Sequence, residues 1–202
     1  MKDLIVLVAD KNMEFAVKGI LQRNESFDIR KISFKIIRHS QNDPGVYRAA
    51  HDFLRIYVNE YHYAIVMLDR EGCGCTDNSI LIAEQIQSRL KHSGWNKRSN
   101  VIVLDPELEV WVWSDSPEVA NCIGWNNNDL RKWLQAEGYL LPNADKPRNP
   151  KLALENALRI KNRPRSSSIF YKLAENVSFN RCSDTAFLKF KNTLQNWFSS
   201  DS

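Results

Sequence analysis

The sequence predicts an α/β protein: a mostly parallel sheet with helices on both faces, followed by an all-helical C-terminal part. Three observations carry that expectation. Short aliphatic runs rich in β-branched residues recur at 4–9, 63–68 and 101–104, which is how strands buried on both faces read. Amphipathic stretches of helical period lie between them, and parallel neighbours need such crossovers. From Pro117 onward only helical patterns remain.

Taken in order, residues 4–9 close on Asp10, and 12–23 place Phe15, Ala16 and Ile20 on one helical face. A second strand is expected over 34–38. Pro44 and Gly45 open a helix with Tyr47, Ala50, Phe53, Leu54 and Tyr57 at helical spacing, ending near Asn59 and Glu60. The third strand, 63–68, closes on Asp69 and Glu71 before the loop Gly72-Cys73-Gly74. A helix over 78–92 shows Ile80, Ala83, Ile86, Gln87 and Leu90 on one face, and the fourth strand, 101–104, ends on Asp105-Pro106-Glu107. Helices then follow over 118–122, 129–137, 150–161, 167–175 and 184–198, with a proline-bearing linker at 142–150. The chain thus divides into an α/β part, 1–115, and a helical extension, 116–202.

Composition narrows the function classes. At 202 residues and 43% hydrophobic content the chain can bury a substantial core, and its longest apolar runs are far too short to span a bilayer. Met1-Lys2-Asp3 leads into a strand without the apolar stretch and cleavage site of a signal peptide, so a cytoplasmic protein with no membrane partner is expected. Cys73, Cys75, Cys122 and Cys182 lack zinc-ligand spacing, so free thiols are expected. The Gly-x-x-x-x-Gly-Lys-Ser/Thr and Gly-x-Ser-x-Gly motifs are both missing, which argues against P-loop ATPases and the usual serine hydrolases. Residues 145–202 hold eleven Lys/Arg against five Asp/Glu, whereas 1–144 hold seventeen against nineteen. An acidic body with a basic end suits a protein that holds cations in one place and meets phosphate in another, and equally a solvated lysine-rich helical surface.

In an open parallel sheet, ligands sit outside the carboxyl ends of the strands. Three predicted strands finish there with acids: Asp10, Asp69 with Glu71, and Asp105 with Glu107. Asp10 and Glu14 are four apart, close enough to face one ion if the helix starts directly after the strand. Hard cations such as Mg²⁺ or Mn²⁺ take oxygen ligands, and clustered carboxylates need a cation to offset their repulsion. The competing reading is that these acids cap helices. Glu109 is a weaker candidate, since Glu107, Glu109, Trp111 and Trp113 alternate and are expected on one side of an extended segment, the tryptophans in the core. Lys161, Arg163, Arg165 and Ser167 form a basic, hydroxyl-bearing stretch before a helix, suited to phosphate, while Ser167 or Ser168 can equally be a cap. His39 and His51 sit in no recognisable motif.

An acid closing the first strand, another four residues later and an acid-x-acid pair closing a central strand resemble the Toprim domain of topoisomerases, primases and overcoming-lysogenization-defect nucleases. That likeness implies a Toprim/Rossmann-like sheet whose acids bind Mg²⁺ for phosphoryl transfer. Asp10 stands where that family usually has Glu, Lys11 replaces the following glycine, and Asp69-Arg70-Glu71 replaces Asp-x-Asp. Over nearly the whole chain, Ala9-Asp10-Lys11-Asn12-Met13-Glu14, the run Leu104-Asp105-Pro106-Glu107-Leu108-Glu109-Val110-Trp111-Val112-Trp113-Ser114-Asp115-Ser116-Pro117 and Pro164-Arg165-Ser166-Ser167-Ser168 resemble the small fourth component of the bacterial methylation-associated defence system. This resemblance implies an anti-phage setting, with other proteins of a defence operon as partners.

Two functions follow as expectations. In one, Asp10, Glu14, Asp69, Glu71, Asp105 and Glu107 hold Mg²⁺ or Mn²⁺ for a nuclease or related phosphoryl-transfer reaction on DNA or RNA, with Lys11 and Glu14 in catalytic roles and Lys161, Arg163, Arg165 and Ser167 on phosphate. In the other, the chain is a non-catalytic interaction subunit of the defence complex.

Overall fold

The computed structural model describes residues 1–114 and 116–200, with only the backbone at Arg181. Asp115, the last residue of the first predicted part and a member of the tryptophan-rich motif, lies outside the described residues, as do 201 and 202 at the end of the predicted extension.

Four strands, β1 (Lys2–Val8), β2 (Phe34–Arg38), β3 (Tyr61–Asp69) and β4 (Ser99–Leu104), form one all-parallel sheet in the order β2-β1-β3-β4. Their register sets Val6 opposite both Ile36 and Ile65, and Val66 opposite Val101. The central strands are the two most aliphatic, and Leu4–Val8 and Ala64–Leu68 are completely buried. Edge strand β2, FKIIR, is only partly covered, in keeping with its mixed sequence.

Helices α1 (Lys11–Leu21), α2 (Asn42–Arg55) and α3 (Ser79–Leu90) are the crossovers. Right-handed connection puts α1 on one face, since β1 passes to β2 on one side. The connections β2 to β3 and β3 to β4 travel the other way, so α2 and α3 share the opposite face. The starts of α1 and α3 are capped by side chains, whereas α2 begins without one. Met13 N–H donates to Asp10 Oδ1 at 2.8 Å, and Leu81 N–H to Asn78 Oδ1 at 3.0 Å, each satisfying a donor of a first turn.

The later chain is helical: α4 (Glu109–Val112), α5 (Pro117–Ile123), α6 (Asn127–Ala136), α7 (Pro150–Ile160), α8 (Ser167–Asn176) and α9 (Thr185–Phe198). Their boundaries fall within a few residues of those the periodicity predicts. The segment carrying Glu107, Glu109, Trp111 and Trp113 corrects the expectation of an extended strand. Val110 and Trp111 N–H groups bond back to Glu107 and Leu108 carbonyls at 3.0 Å each, closing a turn that becomes α4. Alternation over so few residues does not separate a strand from one helical turn.

This helical part folds onto the sheet. Helix α8 lies directly on α1, where a Cβ at Gly19 would stand 2.7 Å from Ala174 Cβ and 3.0 Å from the Tyr171 carbonyl oxygen. Phe27, from the turn after α1, meets Phe179 edge-on at 4.8 Å and Phe187 at 5.9 Å, and Trp111 meets Phe187 at 5.1 Å. Tyr63 of β3 stacks on Trp197 of α9 at 4.4 Å. A single cluster of buried apolar side chains therefore runs through both parts. Each buried phenylalanine in it contributes about 2 kcal/mol of transfer free energy.

Candidate functional site

The connections leaving β1 and β3 depart toward opposite faces, so a crevice opens between the carboxyl ends of these strands. Two predicted acids stand on its sides. Asp10 follows β1 and caps α1 with one oxygen, so the capping reading holds for it without using up the carboxylate. Asp69 is the last residue of β3 and is partly buried, and its Oδ1 is a buried oxygen that no donor reaches.

Burial first, and then the fields of Asp43, Glu109, Asp10 and Glu107, push the Asp69 carboxyl well above the ordinary carboxylate value. Asp43 belongs to the first turn of α2. Its Oδ1 accepts the Asp69 N–H at 2.7 Å, and burial raises its own pKa against that hydrogen bond. The loop presenting Asp43 is fixed by Gly45, where a Cβ would lie 2.1 Å from His39 Nδ1. His39 Nδ1 in turn accepts the Gln41 N–H at 3.1 Å, and burial lowers the pKa of its ring. A buried, structural histidine results, as its lack of motif suggests.

The segment after β4 supplies two more acids. Glu107 and Glu109 are buried, and each is paired with a cation from the helical part: Lys151 Nζ lies 2.8 Å from Glu107 Oε2, and Arg165 Nη2 bonds Glu109 Oε1. Further bonds lock the same segment to the start of α7, to the linker before it and to the start of α9. Trp113 Nε1 donates to the Pro150 carbonyl at 2.9 Å, Lys146 Nζ to the Val110 carbonyl at 2.9 Å, and Trp111 Nε1 to Asp184 Oδ1 at 2.9 Å.

Of the sequence-predicted residues, Asp10, Asp69 and Glu107 thus share one electrostatic neighbourhood. Glu14 is held by Arg38 at 2.8 Å, and Asp105 by Arg70 at 2.6 Å, with Glu71 3.7 Å from the same guanidinium. Lys11 is exposed, its ammonium 5.8 Å from the Phe15 ring centre. The basic stretch divides. Arg165 reaches Glu109, and Ser167 Oγ donates to Asn12 Oδ1 at 3.0 Å beside the start of α1. Lys161 instead lies over Trp125 at 4.4 Å, and Arg163 donates to the Cys122 carbonyl at 3.3 Å, packing over Gly124, whose φ of 85° ends α5.

The sequence reading missed Asp43 and Lys151. Asp43 had a signal: an acid shortly after a strand and directly before Pro44-Gly45, the same rule that found Asp10. Lys151 had none, because only the docking of α7 brings it to the rim.

Among the described residues, no three His, Cys, Asp or Glu side chains stand ready-arranged as a ligand set. The donor set of Asp10, Asp43 and Asp69 nonetheless suits a hard divalent cation. All its donors are carboxylate oxygens, and one of them is buried without a partner. The cysteines are free, and no described helix is long and apolar enough to cross a membrane. No protein-family model, curated protein or solved structure matches the chain.

Proposed function

We propose that this chain is a component of a bacterial anti-phage defence system whose rim carboxylates take Mg²⁺ or Mn²⁺ for phosphoryl transfer on nucleic acid. The observation that supports this reading best is the Asp69 carboxylate, with an oxygen lacking any donor, beside Asp43 and Asp10 at the crevice between β1 and β3. A buried carboxylate among others costs free energy unless a proton or a cation compensates it. Asp10, Asp43 and Asp69 would hold the ion. When bound it would lower the pKa of a water molecule and offset charge on the leaving oxygen. Asp10 orients its carboxylate through the α1 cap, and Asp43 is fixed by its bond to the Asp69 backbone. Motifs across the chain that resemble the methylation-associated defence component supply the biological setting.

The test is cleavage of single- and double-stranded DNA and RNA by the purified chain with Mn²⁺ or Mg²⁺, with Asp69→Asn as control. Metal-dependent cleavage lost in the variant is the expected outcome. Equal cleavage by both proteins would refute the assignment.

A second reading, a non-catalytic interaction subunit, draws on a different observation: Glu14, Asp105, Glu107 and Glu109 each already have a basic partner. Under it, a neighbouring gene product copurifies with the chain, and protection from phage survives Asp69→Asn.

A further inference from the structure

We propose that Lys151 and Arg165, both from the helical part, form an anion-binding pair that seats a substrate phosphate above the carboxylate floor, and that phosphate and divalent-cation binding are thereby coupled. The proposal rests on the cation-site reading above. It gives the helical part a role in the site that the sheet alone does not fill.

The two ion pairs have the same vertical order. The Glu107 side chain is 10% exposed beneath Lys151 at 45%, and Glu109 is 2% exposed beneath Arg165 at 33%. Each acid therefore fixes its cation from below while the cation faces solvent. An ammonium has three donors and a guanidinium five, and each gives one to its buried acid. Each cation thus keeps donors beyond the one its acid takes, on a side chain that is partly exposed. The hydrogen bond to Glu107, with the fields of Glu107 and Glu109, raises the Lys151 pKa against burial and against the charge of Arg165, so the two cations feel each other. Two cations held by acids two residues apart suit the oxygens of a phosphate better than one carboxylate ligand.

Asp10, Asp43, Asp69, Glu107 and Glu109 act on one another in this neighbourhood, and Lys151 and Arg165 pair with the last two, which leaves the acids in excess of these two cations. An anion entering without a divalent cation meets that excess of negative charge. A bound cation removes it, so each ligand should strengthen the other, and by linkage the effect is reciprocal.

The experiment is titration of Mn²⁺ into the full chain, followed by loss of the free-ion electron paramagnetic resonance signal, with and without inorganic phosphate. Wild type should bind Mn²⁺ about fivefold or more tightly when phosphate is present, the lower range of allosteric coupling. Lys151→Met should bind Mn²⁺ without that gain. Because this change strands Glu107, the double variant Lys151→Met/Glu107→Gln removes the orphaned charge and should also lack the gain, while Lys151→Arg should keep part of it. Coupling that persists in either Met-bearing variant overturns the proposal. Mn²⁺ binding by wild type with no phosphate effect overturns it alone, and no Mn²⁺ binding by wild type overturns the cation site together with it.

Discussion

At the level of single residues, burial and neighbouring acids push the Asp69 carboxyl well above its ordinary value. A carboxyl whose folded-state pKa is raised holds its proton more tightly when folded. Its contribution to stability is therefore present below the ordinary value of 3.8 and is lost as pH rises above it. Asp69→Asn removes the charge and lets an amide donate to a neighbouring carboxylate. In chelator-treated buffer at neutral pH this variant should be more stable than wild type by about 1–3 kcal/mol, the usual cost of an unsatisfied buried group. The difference should vanish in acid, and urea denaturation across pH measures it. Asp3 behaves in the opposite sense. Partial burial pushes its pKa up, but hydrogen bonds from the Arg30 guanidinium and from the Ser33 N–H and hydroxyl prevail and hold it at about 2. Its stabilisation is present above 3.8 and lost as pH falls toward about 2. Asp3→Asn should cost about 1 kcal/mol at neutral pH, as exposed charged networks do, and less in acid, by the same denaturation series.

Between elements, the α1–α8 crossing decides whether Arg165 and Ser167 reach the rim, because both lie at the start of α8 or just before it. Gly19 sets that spacing. Alanine there gains about 1 kcal/mol of helix propensity. Its Cβ, however, would stand 2.7 Å from Ala174 Cβ and 3.0 Å from a backbone oxygen, so α8 must move. Overpacking of this kind costs about 1–3 kcal/mol, and Gly19→Ala should be destabilising on balance. A double-mutant cycle with Ala174→Gly checks the cause: the pair should be less damaging than the sum of its parts. Elements were also the most legible level in the sequence. The aliphatic runs of β1, β3 and β4 and the capped, amphipathic helices announce themselves because burial on both faces, or on one stripe, leaves a period. The segment at 107–113 misled because acids and tryptophans alternate over a stretch too short to show which period applies.

For the molecule as a whole, sequence patterns located the rim, since acids at strand ends are visible, but not the grouping of charges upon it. Glu14 and Asp105 looked like companions of Asp10, yet Arg38 and Arg70 hold them. Neither arginine pairing follows from chain order. Lys151 reaches Glu107 across 44 residues and Arg165 reaches Glu109 across 56, separations that no local pattern encodes. One continuous core makes these approaches possible, with α8 packed on α1 and α5, α9 on β4, and α7 on α4. The mildly acidic body and basic C-terminal end, which the charge count showed only as an asymmetry, meet where Lys151 and Arg165 pair with Glu107 and Glu109.

The most direct measurement is calorimetric titration of Mn²⁺ into wild type and Asp69→Asn at neutral pH. A saturable binding heat in wild type that disappears in the folded variant is the predicted result. Identical heats in both proteins, or none in wild type, would contradict a cation site built on Asp10, Asp43 and Asp69.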